Sequence, residues 1–270
     1  MKIFDSHIHS QFNKVAFQEA TKQSGIDFSM KGLVEEMQGS GVDYAVTISN
    51  IFEDETPIGL GEMIKQQKEN PRLRAVCAVN PERLGSLAVA ERALRDRSII
   101  GFKIFLGYHP YGPTDGVYQD YYKLAQKHGG VIIFHTGDVY SPEGGYLKYS
   151  HPLAIDEVAV NYPDASFVLA HAGNPWYVDA GAVAYKNKNV WLDLSGLDLG
   201  TSFKNTATIK TGIKFLLDYA GPQKLLYGSD WPLVGMKPYC EMLKKIIPVK
   251  HHKMIFFENA WQLFGNYFSR

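Results

Sequence analysis

Two histidines set one residue apart, His7 and His9 in KIFDSHIHS, stand at the start of the chain. Alternate residues of a strand point to one face, so both imidazoles leave an apolar strand side by side. A neutral imidazole nitrogen is the commonest protein ligand for zinc and related ions, and the pair offers half of a metal site. Alone it equally suits a polar strand face or hydrogen-bonded core histidines. Three later residues favour the metal: His135 in FHTG, His171 in AHAG and Asp230 in GSDWP. Each ends an apolar run and precedes a glycine or a turn.

Eight apolar runs carry or separate these residues, at 2–10, 43–49, 73–80, 99–107, 130–137, 166–173, 190–196 and 224–232. Helical spacing is read between or after them at 31–40, 57–70, 82–96, 116–128, 152–161, 176–187, 206–219 and 237–246. Near-continuous Val/Ile/Leu/Phe runs alternating with helices predict parallel strands buried on both faces. Eight such units predict an α/β fold, a closed (β/α)8 TIM barrel formed as one domain over residues 1–270. A doubly wound open sheet is disfavoured, because no glycine-rich phosphate fingerprint follows the first strand. In a barrel, strand C-termini converge on the face where sites are built. Ile133 with His135, Leu169 with His171, and Leu226 with Asp230 share parities expected to face the interior, as does Lys103 in GFKIF. The long segments 11–30, 107–116 and 138–150 gather at the same face. They bring aromatics, among them Tyr108, Tyr111, Tyr140, Tyr146 and Tyr149, to shape a pocket or pack the loops.

Composition narrows the partners. Of 270 residues, 45% are hydrophobic and 21% charged, with 28 basic against 28 acidic side chains. That balance favours neither nucleic acid nor an anionic membrane. Cys77 and Cys240 have no paired spacing, which predicts reduced, buried thiols rather than a disulfide framework. No apolar run reaches the roughly 20 residues needed to span a bilayer, and no signal-peptide pattern precedes the first strand. A cytoplasmic protein acting on a small molecule is the expectation, with a homodimer left open.

The sequence resembles the amidohydrolase superfamily, in its amidohydrolase-related branch that includes aminocarboxymuconate semialdehyde decarboxylase. The resemblance covers essentially the whole chain through DSHIH, GFKIF, IIFHTG, YPDASF, VLAHAG, DLSG, YGSDWP and ENAWQLFG. It implies a barrel of the metal-dependent hydrolase type with a catalytic divalent metal at the C-terminal face. His7, His9, His135 and Asp230 match the family's metal ligands. His171 matches a residue that acts in catalysis or, in binuclear members, holds a second ion. One ion is expected rather than two, zinc first and manganese as the alternative. In some wider relatives a carboxylated lysine from the fourth strand bridges two metals. Here Lys103 is read as a plain ammonium, paired with a substrate carboxylate or with an acid of the barrel.

The resemblance implies two reactions. In a hydrolase, a metal-bound hydroxide attacks the carbonyl of a small amide, ester or lactone. Asp230 then accepts the proton and His171 polarises the carbonyl or passes the proton on. The alternative is a lyase, a decarboxylase or hydratase of an unsaturated or aromatic acid using the same ligands. Asp5 is read as a structural partner, Asp193 and Ser195 as substrate contacts, and Trp231 as wall or packing. His151 is read as a helix-start residue and His109 as a loop residue. His128, His251 and His252 are expected to be solvated, with Glu258, Asn259 and Ala260 capping the last helix.

Overall fold

The computed structural model describes residues 1–12, 17, 21–22, 25–50, 57, 59–83, 85–139, 144–198 and 206–268, so Tyr140 lies outside them. The eight apolar runs form strands β1 (Ile3–His9), β2 (Val42–Ile48), β3 (Leu73–Ala78), β4 (Gly101–Ile104), β5 (Val131–His135), β6 (Ser166–Ala170), β7 (Val190–Asp193) and β8 (Leu225–Leu226). Every neighbouring pair is parallel and the strand order is sequential. Helices alternate with them: α1 (Met30–Ser40), α2 (Leu60–Glu69), α3 (Leu87–Arg95), α4 (Gly116–His128), α5 (Ile155–Asn161), α6 (Tyr177–Lys186), α7 (Thr206–Tyr219) and α8 (Met236–Ile246). A further helix, α9 (Asn259–Phe264), follows the last strand–helix unit. The fold is a (β/α)8 barrel. Among the described residues no helix is long and apolar enough to cross a membrane.

Local chemistry explains the helix ends that can be read. The Ser29 side chain accepts from Gly32 N (3.0 Å) to open α1, and Gly41, at φ 75°, closes it. His151 caps a 3-10 turn at 152–154 by accepting from Leu153 N, as a helix-start residue should.

The core has two shells. Leu33, Phe102, Phe134 and Phe167 pack between strands and helices. Phe4, Val46, Val76, Val131, Ile133, Val168 and Leu226 fill the barrel, with Ala260 and Phe264 of α9 beneath them. The Asn259 amide does not cap α9. It donates to Pro222 O (2.8 Å) and Leu225 O (2.7 Å), fastening α9 to the entry of β8.

The eighth run, expected over 224–232, pairs with β7 only at Leu225 and Leu226. Beyond them the backbone swings to β1 and closes the barrel. Ser6 N donates to Tyr227 O (2.8 Å), Asp230 N to His7 O (2.8 Å) and His9 N to Trp231 O (2.7 Å). Asp5 is the structural partner expected of it. Its Oδ1 accepts from His7 N (3.1 Å) and Ser229 N (2.9 Å), clasping the two strands.

Two departures from simple alternation aim the site. Between Asp5 and Ile8, β1 advances three residues while β2 advances two, from Ala45 to Thr47. This bulge lets Phe4 and, after a change of parity, His7 and His9 serve the same interior. In β6 the interior positions are Val168 and Ala170, whereas Leu169 faces the helices. The expected Leu169–His171 parity therefore does not hold. The strand ends at Ala170, and His171 reaches the axis through a left-handed backbone at φ 61°.

Candidate metal centre

The C-terminal ends of β1, β5 and β6 and the turns after β7 and β8 bring the predicted residues together in two contiguous groups. In the first, His7 Nε2 lies 3.5 Å and His9 Nε2 3.3 Å from Asp230 Oδ1. One donor atom from each of these three residues lies within 4.8 Å of the others. In the second, His171 Nε2 meets His135 Nδ1 at 3.2 Å. The His7 and His171 rings join the groups, with centroids 5.3 Å apart. His135 faces His171 rather than joining the compact trio.

The partners of the other ring nitrogens fix where each lone pair points. A neutral imidazole has one N–H and one lone pair, and an oxygen that only accepts requires the N–H. His9 Nδ1 donates to Ile48 O (3.0 Å), His135 Nε2 to Asp138 O (2.8 Å) and His171 Nδ1 to Ser195 O (3.0 Å). His7 Nδ1 donates to the Asp193 carboxylate (2.6 Å). Each ring therefore turns a bare lone pair toward the site. His171 and His135 place two such lone pairs against each other, and His7 Nε2 is buried without a hydrogen-bond partner among the described residues. Buried polar atoms are rarely left this way, since desolvation without a partner is costly. Four proton-free nitrogens and one carboxylate form a donor set that a divalent cation fits.

Electrostatics keep His7, His135 and His171 from taking up a second proton. Burial, with the positive charge of Lys103 next in effect, holds the His7 imidazolium well below its ordinary range. Burial and then His171 do the same to His135. His171 is pulled down to about 4, chiefly by burial, with His7 and Lys103 adding to it against the pull of Asp230. Burial works against ionisation of Asp230, yet its close approach to His9, and then to His7 and His171, prevails and holds its carboxyl far below the usual range.

Lys103 lies fully buried inside the barrel, as its parity predicts. No acid of the barrel among the described residues reaches its Nζ, which has no hydrogen-bond partner there and sits over the Phe105 ring at 5.0 Å from the centroid. Burial lowers it to about 8, against the opposing pull of Asp230 and Asp193.

Backbone strain collects here. Asp230 (φ 69°) and His171 (φ 61°) both occupy the left-handed region, at a cost on the order of 1–3 kcal/mol each. Gly196 is at φ 60°, and a Cβ there would strike Asp230 Oδ2. That position must be glycine for the carboxylate to stand where it does.

Several contributors were not singled out for these roles by sequence. Phe17 stacks on His9 (4.9 Å between centroids), and Phe28 packs against Trp231 (5.6 Å). Asp193 and Ser195, expected to touch substrate, are fully buried against His7 and His171. The polar alternation in DLSG was the available signal for that inward arrangement. Tyr108 sets its ring edge-on to His135 at 4.9 Å, whereas Tyr146 and Tyr149 pack on each other. Away from the site, His128 pairs with Glu91 (3.1 Å), and His252 donates to Ile247 O (2.8 Å) rather than being merely solvated.

A (β/α)8 barrel with a buried imidazole–carboxylate cluster at its C-terminal mouth defines the class. The chain belongs to the amidohydrolase family, whose profile matches residues 5–265. No curated protein matches it by sequence. Among solved structures it is similar to 5-carboxyvanillate decarboxylase from Sphingomonas paucimobilis, at 14% identity and TM-score 0.70 over 98% of each chain. It is also similar to a zinc-bound amidohydrolase from Burkholderia multivorans, at 16% and 0.73 over 98% of this chain and 99% of the other. A third is a candidate 2-pyrone-4,6-dicarboxylic acid hydrolase from Pseudomonas putida, at 16% and 0.71 over 100% and 98%. These likenesses establish the shared fold.

Proposed function

We propose that the protein is a metal-dependent hydrolase that cleaves the acyl carbon–oxygen or carbon–nitrogen bond of a small polar lactone, ester or amide. The observation that carries this reading is the proton-free donor set of His7, His9, His135, His171 and Asp230. His7, His9 and Asp230 would hold a divalent ion, zinc in the first place, with His135 as the further ligand. That ion supplies Lewis acidity, polarising a carbonyl oxygen and making water nucleophilic at neutral pH. Asp230 is ionised throughout the working range, so an oxygen of its carboxylate would take the proton of the attacking water. His171 has its Nδ1–H committed to Ser195 O, so Nε2 is the atom that accepts this proton and returns it to the leaving oxygen or nitrogen. Lys103 supplies positive charge beneath the cluster, which keeps the imidazoles neutral and balances Asp230 and Asp193.

A second reading, a non-oxidative decarboxylase of an aromatic or unsaturated acid, uses the same donors. It is favoured by the similarity to 5-carboxyvanillate decarboxylase and to 2,6-dihydroxybenzoate decarboxylase. Metal analysis of the purified protein, followed by a chelator-controlled screen, separates them. Hydrolysis consumes base with lactones or esters and frees an amine from amides, and decarboxylation releases carbon dioxide from conjugated acids. The expected outcome is stoichiometric zinc or manganese and base consumption abolished by the chelator. Metal-dependent carbon dioxide release alone would replace the first reading with the second. Absence of bound metal would overturn both.

A further inference from the structure

Three of the four site histidines have their tautomer set by the main chain, through Ile48 O, Asp138 O and Ser195 O. His7 is the exception. Its Nδ1 faces the Asp193 carboxylate at 2.6 Å, and Ser195 Oγ stands 3.0 Å from the same nitrogen. Ser195 Oγ donates to Asp193 Oδ2 (3.0 Å) and lies 3.2 Å from His171 Nδ1; its N–H donates to Asp193 Oδ1 (2.9 Å). Both side chains are fully buried, behind the imidazoles rather than at the mouth. The barrel makes room for this arrangement. A Cβ at Gly228 of the closing segment would strike Asp193 Oδ1.

We infer that Asp193 and Ser195 are positioning residues that set the metal affinity of the centre. Asp193 fixes His7 as the Nδ1–H tautomer and, as an anion, enriches the lone pair that Nε2 turns to the cation. Ser195 ties that carboxylate to His171, so the two rings keep one relative orientation. The inference rests on the metal-centre reading above. A charged oxygen behind a ligand imidazole both orients it and raises its basicity, and losing such a partner typically costs about 10–100-fold in metal affinity.

The test uses zinc alone as probe. Binding is measured by competition with a chromophoric chelator, and the His7 tautomer by long-range 1H–15N NMR of the metal-free protein. Wild type is expected to show His7 as Nδ1–H. Asp193→Asn keeps the volume and is expected to weaken zinc binding about 10–100-fold while the His7 Nδ1–H signature is lost or becomes mixed. Ser195→Ala is expected to weaken binding a few-fold with the tautomer kept. Zinc binding by Asp193→Asn equal to wild type, with the signature intact, overturns the proposal. Should that variant not fold, the wild-type spectrum decides, because an Nε2–H tautomer at His7 is incompatible with the role assigned to Asp193. If wild type takes up no zinc yet loses the His7 signature on Asp193→Asn, the metal-centre reading fails while the positioning stands.

Discussion

The two ends of the barrel hold ring clusters of similar spacing and opposite chemistry. At the mouth, the His7–His9, His7–His171 and His135–His171 centroids lie 5.2, 5.3 and 4.8 Å apart. At the base, Phe4 stacks on Phe264 at 5.7 Å and meets the edge of Phe268 at 5.3 Å, while Tyr44 lies 5.1 Å from Trp261. The base rings remove apolar surface from water, each such burial contributing about 1.5–3 kcal/mol. The mouth rings expose lone pairs to one another, sit beside a buried ammonium without a hydrogen-bond partner among the described residues, and depend on left-handed backbone at His171 and Asp230. One end stabilises the fold, and the other stores unsatisfied polarity that a cation would satisfy.

Asp230→Asn puts this contrast under the greatest load. The amide preserves shape but removes the ionised carboxylate, so turnover is expected to fall about 10²–10⁴-fold. Its N–H groups can also donate to the lone pairs of His7 and His9. The metal-free variant should therefore melt no lower than wild type, a combination that calorimetry and the base-consumption assay check together. Retained turnover, or a large loss of metal-free stability, would contradict the division of labour. The converse is Phe264→Ala at the base. A cavity under Phe4 should cost about 3–5 kcal/mol in urea unfolding, with zinc affinity of the folded fraction unchanged.

The base and the mouth also differ in how much the sequence revealed. Continuous apolar runs disclosed all eight strands, because a strand buried on both faces has no polar alternation to hide it. The five ligand-type residues were visible because an imidazole or carboxylate at the end of such a run is buried with it, and burial without a bonding partner is costly. The bulge after Asp5 was not visible, because it leaves no mark on local composition and arises from pairing with β2. The same holds for His171. Its parity with Leu169 suggested the right direction for the wrong reason, and only the left-handed turn after Ala170 brings the ring inward. The backing of His7 by Asp193 was likewise hidden, since it joins residues 186 positions apart.

A smaller effect separates the ends by pH. In metal-free protein, burial holds His171 near 4, whereas an unfolded chain takes up its proton near 6.5. Between those values the unfolded state binds more protons at this residue, so its contribution makes stability fall as the pH is lowered. Asp5 and Asp193, pushed up by burial to about 7 and about 6, act in the opposite sense over much of the same window. The total slope therefore mixes these groups, and a difference isolates the histidine. Wild type should lose more stability than His171→Gln between about pH 7 and pH 4.5, read from urea midpoints. Phe264→Ala should follow the wild-type pH trend at a uniformly lower level, because Phe264 carries no titratable group. Parallel curves for wild type and His171→Gln would mean that the folded protein protonates His171 as readily as the unfolded chain. A bare Nε2 lone pair facing His135 would then be the wrong description of the mouth.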